Sequence, residues 1–202
     1  MTQLDGMVWD LGGVLLDVDT EVAVRHWTEV TGIGGQRLQD ALFGTGRHDR
    51  LGIGELSPEE LAWELATELA VDFPVALFRA GWERVLTVRT DMAALVNQVA
   101  ERVSTGVLSD TDPVHASVAR RTTFAPAVKH WTVSYEVGAY KPSPAMYRAV
   151  CHAMGLPPEK LLFIDDREGN VRGAREYGMR AEVFQSRENL ETLLQEVGFL
   201  ER

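Results

Sequence analysis

Four polar signals in this chain each stand where an apolar run ends, and their residue types together suit one chemistry. Asp10 follows Met7-Val8-Trp9 and opens the glycine-rich turn Leu11-Gly12-Gly13-Val14. Ser109-Asp110 follows Thr105 to Leu108, Lys141-Pro142 follows the run Val133 to Tyr140, and Asp165-Asp166 follows Leu161 to Ile164. A strand that delivers a polar side chain into a turn places it at the C-terminal edge of a sheet, where open α/β sheets bind ligands. A carboxylate at that edge can attack phosphorus and form an aspartyl-phosphate that water hydrolyses. Two anions meet only when a cation neutralises them, and Mg2+ held by one or two carboxylates does this. Asp10, Asp165 and Asp166 supply such oxygens, Lys141 a fixed positive charge, and Ser109 a hydroxyl and a backbone donor. Taken singly, Asp10 also suits a turn, Ser109 a helix cap and Lys141 a solvated loop. The adjacent acids at 165 and 166 are harder to explain away, because they repel each other unless a cation or donors sit nearby.

The elements that must position these groups fall into two patterns. Residues 7 to 16 read as a buried strand and turn, and from about 90 onward helices alternate with short β-rich runs, which predicts a doubly wound parallel α/β sheet. Between them, residues 17–88 read as helical throughout, an insert that must pack on itself above the sheet edge. Asp19 caps a first helix with Val22, Ala23, Trp27 and Val30 inward, and Ser57-Pro58-Glu59-Glu60 is a capping box opening a helix with the stripe Leu61, Leu65, Leu69. Phe78, Trp82, Val85 and Leu86 make the next stripe, and Phe43 to His48 reads as a glycine-broken loop. Downstream, helices are expected over Asp91–Glu101, from Ser143-Pro144 to Met154, over roughly Gly169–Tyr177, and at Leu190 to Val197.

Composition narrows the partners. With 45% hydrophobic and 25% charged residues over 202 positions, the chain is an ordinary globular one with room for one core and a small appended unit. A formal net charge of −10 argues against nucleic acid, which gathers Lys and Arg, but not against a small phosphorylated metabolite. The single cysteine, Cys151, excludes an internal disulfide and a Cys-based zinc cluster and fits a reducing cytoplasm. No apolar run reaches the ~18 residues of a membrane span, and the acidic start is unlike a signal peptide.

In order and spacing, these motifs resemble the haloacid dehalogenase-like hydrolase superfamily, in the branch with a helical cap inserted after the first motif. Asp10 to Asp17 is similar to its first motif, Val107 to Asp110 to its second, Lys141-Pro142-Ser143-Pro144 to its third, and Phe163 to Asp166 with Asn170 to its fourth. The resemblance implies a hydrolase core at 1–16 and 89–202, a cap at 17–88, and likeness to sugar-phosphate phosphatases with an Asp-Leu-Gly first motif. It implies Asp10 as nucleophile and magnesium ligand, a backbone ligand from Gly12, further ligation by Asp165 and Asp166, and phosphate held by Ser109, Asp110 and Lys141. Position 12 departs from the pattern: most phosphatases of the family carry there a second aspartate that protonates the leaving group, help worth ~10²–10⁴-fold. The same Asp chemistry on carbon, as in 2-haloacid dehalogenases, needs no metal, so the acidic pair speaks against it. A catalytically weakened phosphate-binding or regulatory member is the other alternative. Arg47 and His48, in the cap loop Gly44 to Arg50, are the candidate substrate contacts, suited to a sugar phosphate or similar polar phosphomonoester.

Overall fold

The computed structural model describes residues 3–201. The chain runs through β1 (Gly6–Trp9), β2 (Leu16–Val18), α1 (Thr20–Thr31), α2 (Gly35–Phe43), α3 (Arg47–Gly52), α4 (Pro58–Leu69), α5 (Val75–Trp82) and β3 (Leu86–Val88). It continues with α6 (Thr90–Ala100), β4 (Ser104–Ser109), α7 (Pro113–Ala119), β5 (His130–Val133), the helical turn α8 (Ser134–Val137) and α9 (Pro144–Met154). β6 (Leu161–Asp165), α10 (Glu168–Tyr177), β7 (Arg180–Val183) and α11 (Arg187–Glu196) complete it. The main sheet has the order β5-β4-β1-β6-β7 with every pair parallel, so the Asp10 strand is central.

The strands are nearly continuous apolar runs because helices cover both faces. Alternation sends Met7, Trp9, Val107, Leu162 and Ile164 to a core shared with α6 and α11. Val8, Leu108, Leu161 and Phe163 point the other way, into a core built with α9 and α10. Helices α1 to α5 close a third apolar cluster, in which Trp27 stacks on Phe78 and Trp82 at 5.7 and 5.9 Å. Both expected caps form: Asp19 accepts from the Glu21 N–H, and Ser57 and Glu60 make a reciprocal capping box.

Four expectations need correction. The stretch 17–88 is not helical throughout: β2 and β3 pair antiparallel, Leu16 with Val88 and Val18 with Leu86, as a ribbon where the chain leaves and re-enters the sheet unit. Each strand is three residues long, too short to show alternation in sequence. On α1 the inward face is Ala23, Val24 and Trp27, spaced i, i+1, i+4 on one side of the helix, while Val30, in its last turn, is 59% exposed. The run before Lys141 is not one strand, since β5 ends at Val133 and Ser134–Val137 coils into a turn stopped by Gly138 at φ 75°. The expected loop Phe43 to His48 shrinks to Gly44-Thr45-Gly46, after which α3 starts at Arg47. No helix among the described residues is long and apolar enough to cross a membrane.

Candidate active site

Parallel strands with one direction carry their C-terminal ends to one edge, and the first, second and fourth motifs meet there. Asp10 leaves β1 with its N–H donating to Ile164 of the neighbouring strand, and its Oδ1 accepts from the Leu11 N–H at 2.7 Å. Ser109 is the last residue of β4 and Asp165 the last of β6. Lys141 arrives from the turn after α8, its backbone N–H donating to Asp110 Oδ1 at 2.9 Å. Its buried Nζ lies 2.8 Å from Asp10 Oδ1, donates to Asp165 Oδ2 at 2.7 Å and reaches the Leu108 carbonyl at 3.2 Å.

Asp165 is fully engaged. Besides Lys141, it accepts from Asn170 Nδ2 on both oxygens at 3.0 Å and from the Arg167 N–H at 2.8 Å. Asn170 is itself fixed through its carbonyl, which accepts from Tyr147 Oη at 2.7 Å. Asp166 is exposed to the cavity, and an oxygen from each of Asp10, Asp165 and Asp166 lies within 4.8 Å of the others. Gly13, at φ 73°, lets the loop after β1 pass so close to Asp166 that a Cβ there would collide with that carboxylate. The Gly12 carbonyl accepts no hydrogen bond among the described residues.

One ammonium does not balance these acids. Burial pushes the Asp10 carboxyl up to about 7, with Lys141 pulling it down and Asp165 adding to the rise. Burial likewise raises Asp110, and it raises Asp166 with Asp165 contributing. For Lys141, burial disfavours the charge, but Asp10, Asp165 and Asp110 outweigh it and hold the ammonium above its usual range. A cluster of hard oxygen donors with surplus negative charge fits a divalent cation such as magnesium.

Above this floor lies a cavity of about 780 Å³, walled on the far side by Val18, Thr20, Phe43, His48, Asp49, Trp82 and Leu86. The expected site residues thus divide cleanly. Asp10, Gly12, Ser109, Asp110, Lys141 and Asp166 line the cavity, Asp165 braces Lys141 from below, and His48 stands across from them. Arg47 is not among the residues that line the cavity. Its guanidinium turns into the helical unit, donating to Glu64, Glu68, the Ala41 carbonyl and Thr45. Carboxylates on α4 at 64 and 68 face that side, and they capture it.

Among the lining residues that sequence reasoning did not assign to the site are Tyr140, Asp112 and His115. Tyr140 donates its hydroxyl to the Asp49 carbonyl at 3.0 Å, bridging the sheet unit to α3. Asp112 and His115 form a buried pair against Trp82. The signal was present in the order Asp112-Pro113, an N-cap followed by proline at the first helical position.

Fold and site together define an α/β unit with a cluster of carboxylates and a buried lysine at its C-terminal sheet edge, under a helical unit. Residues 4–178 match the haloacid dehalogenase-like hydrolase family, and the chain belongs to it. It is 26% identical over 191 residues to the D-ribitol-5-phosphate phosphatase of Bacteroides thetaiotaomicron, across 90% of this chain and 91% of that one. Its fold matches that of a haloacid dehalogenase family enzyme of the same organism, crystallised with magnesium and inorganic phosphate. The TM-score is 0.82 at 24% identity, covering 94% of this chain and 98% of that one. A family hydrolase of Porphyromonas gingivalis matches with a TM-score of 0.81 at 22% identity, over 97% and 98% of the two chains.

Proposed function

We propose that this protein is a magnesium-dependent phosphomonoesterase that cleaves a small sugar or polyol phosphate through an aspartyl-phosphate on Asp10. The observation that carries the reading is the buried Asp10–Lys141–Asp165 cluster at the floor of a roofed cavity, with Asp166 alongside. Asp10 attacks phosphorus with the carboxylate oxygen not held by Leu11 and Lys141. Lys141, oriented by Asp165 and Asp110, neutralises phosphate oxygens, and the Ser109 hydroxyl and Asp110 N–H hold the others. Asp10, Asp166 and the Gly12 carbonyl would hold magnesium, with Asp165 behind them; when bound, the ion offsets the repulsion between nucleophile and phosphate. Asp165 already serves Lys141 and Asn170, which leaves Asp166 as the freer ligand.

In this reading residues 17–88 act as the cap and choose the leaving group. His48, beside Phe43 at 5.1 Å and Trp82 at 5.9 Å, meets the substrate, and Arg47 serves the cap's own stability. The substrate class follows the polar groups Thr20, His48 and Asp49 on the far wall and the likeness to a ribitol-phosphate phosphatase. A dehalogenase reading finds no use for three clustered carboxylates. A weakened, phosphate-binding member is favoured by one observation, the missing carboxylate at Gly12, and the test separates it. Phosphate release from D-ribitol 5-phosphate is measured with magnesium and with EDTA, for the parent and for Asp10→Asn. Turnover is expected only in the parent with magnesium. Residual activity in Asp10→Asn within tenfold of the parent rejects Asp10 as nucleophile, and metal-independent turnover rejects the metal assignment. No turnover of any phosphomonoester, with phosphate still bound, establishes the non-catalytic reading.

A further inference from the structure

One buried charged cluster has no part in that chemistry. Asp112 caps α7, its Oδ1 accepting from the Val114 and His115 N–H groups at 2.8 and 3.1 Å. Its Oδ2 accepts from Trp82 Nε1 at 2.9 Å and lies 3.0 Å from His115 Nδ1. His115 Nε2 in turn lies 2.9 Å from the Trp82 carbonyl oxygen. A carbonyl oxygen only accepts, and a carboxylate only accepts, so a neutral imidazole would aim its lone pair at one of them. Burial makes that arrangement costly, and donation from both nitrogens removes the conflict. Burial also opposes the charge on Asp112, but His115 and Trp82 outweigh it and hold the carboxyl below its usual range.

The cluster straddles the junction between the two units. Trp82 ends α5, whereas Asp112 and His115 directly follow the Ser109-Asp110 loop, with side chains 4% and 10% exposed. The indole stacks on the imidazole at 4.5 Å with 19° between planes. Val114, between the two polar residues, is buried in the helical unit's own apolar cluster. The Asp112 anion matches the dipole of α7. The His115 ring lies against the C-terminal end of α5, which favours a cation, but also in the first turn of α7, which does not, so the dipoles leave the imidazolium to its two acceptors. Other ionisable groups nearby are His48, across the Trp82 ring at 5.9 Å, and the Glu83–Arg121 pair at 3.5 Å, which is largely exposed.

We propose that Asp112 and doubly protonated His115 are positioning residues that lock the C-terminal end of α5 to the phosphate-site loop and so fix Trp82 as the cavity wall facing the leaving group. The kinetic consequence rests on the phosphatase reading, and the protonation state does not. Nitrogen-15 NMR of histidine-labelled full-length protein at pH 7, with neither metal nor substrate, is expected to show two ring N–H groups on His115. A single N–H with a neutral tautomer overturns the lock whatever the protein catalyses. Gln at 115 keeps one donor and loses the charge. In kinetics, His115→Gln is expected to raise KM for D-ribitol 5-phosphate about tenfold, the factor one lost charged hydrogen bond carries, with kcat falling less than threefold. The loss is expected to be several-fold smaller for acetyl phosphate, which presents no polyol to Trp82. Equal losses on both substrates, or a fall confined to kcat, overturn the positioning role.

Discussion

Gly12 stands two residues beyond Asp10 on the cavity wall and offers a leaving group no proton. A side chain fits there: a Cβ would meet only Val18, in ordinary contact at 3.4 Å, and the backbone is not left-handed. Gly13, one residue on, is the opposite case, since its φ of 73° and the Asp166 carboxylate exclude a side chain. Space at the Cβ therefore does not impose glycine at position 12. If proton donation limits turnover, p-nitrophenyl phosphate, whose leaving group needs little protonation, is expected to turn over faster than D-ribitol 5-phosphate by about 10²-fold or more. Gly12→Asp is then expected to raise the alkyl rate and leave the aryl rate nearly unchanged. The kcat/KM values of both substrates for both proteins check this, and equal parent rates would assign the acid's role to another cavity residue such as His48.

Helix α3 shows how an element redirects a residue that its neighbours in sequence made attractive. Arg47 and His48 are adjacent, yet only His48 faces the cavity, because successive helical positions point about 100° apart. Arg47 instead staples α3 to α4 and to the end of α2, its side chain 13% exposed. Arg47→Ala is expected to lower stability in urea unfolding by about 1–2 kcal/mol and leave the ranking of substrates unchanged. A changed ranking at unchanged stability would return Arg47 to recognition. The strands and caps that place the carboxylates were legible in sequence because their signals are local: four buried residues and then an acid, or Ser-Pro-Glu-Glu before a stripe of leucines. The β2–β3 ribbon was not, since its partners are some 70 positions apart and too short for a period. Nor was the destination of Arg47, which depends on what α4 presents at Glu64 and Glu68. The Asp112–His115–Trp82 cluster likewise exists only once α5 has been laid against α7.

Across the whole molecule, the acidic excess meets the buried site, and stability becomes linked to pH and metal. The chain carries a formal charge of −10, and within it Asp10, Asp110 and Asp166 all have carboxyls raised by burial. A carboxyl at about 7 in the folded protein, against 3.8 ordinarily, keeps its proton when the unfolded chain has lost it. Between those values the native state binds more protons, so unfolding free energy falls as pH rises, by up to about 1.4 kcal/mol per pH unit for one such group. The stabilising contribution is thus intact below about pH 4 and gone above about pH 7, the reverse of an ion-paired carboxylate with a lowered pKa. If the ionised cluster holds magnesium, as proposed, the ion is expected to stabilise the protein far more at pH 8 than at pH 5. Thermal unfolding at the two pH values, with magnesium chloride against sodium chloride at matched ionic strength, measures the difference. The same Tm gain at both pH values, or an equal gain from sodium, would mean that the cation screens the surface charge and leaves the carboxylates at the sheet edge untouched; Asp166→Asn is expected to abolish the magnesium-specific part.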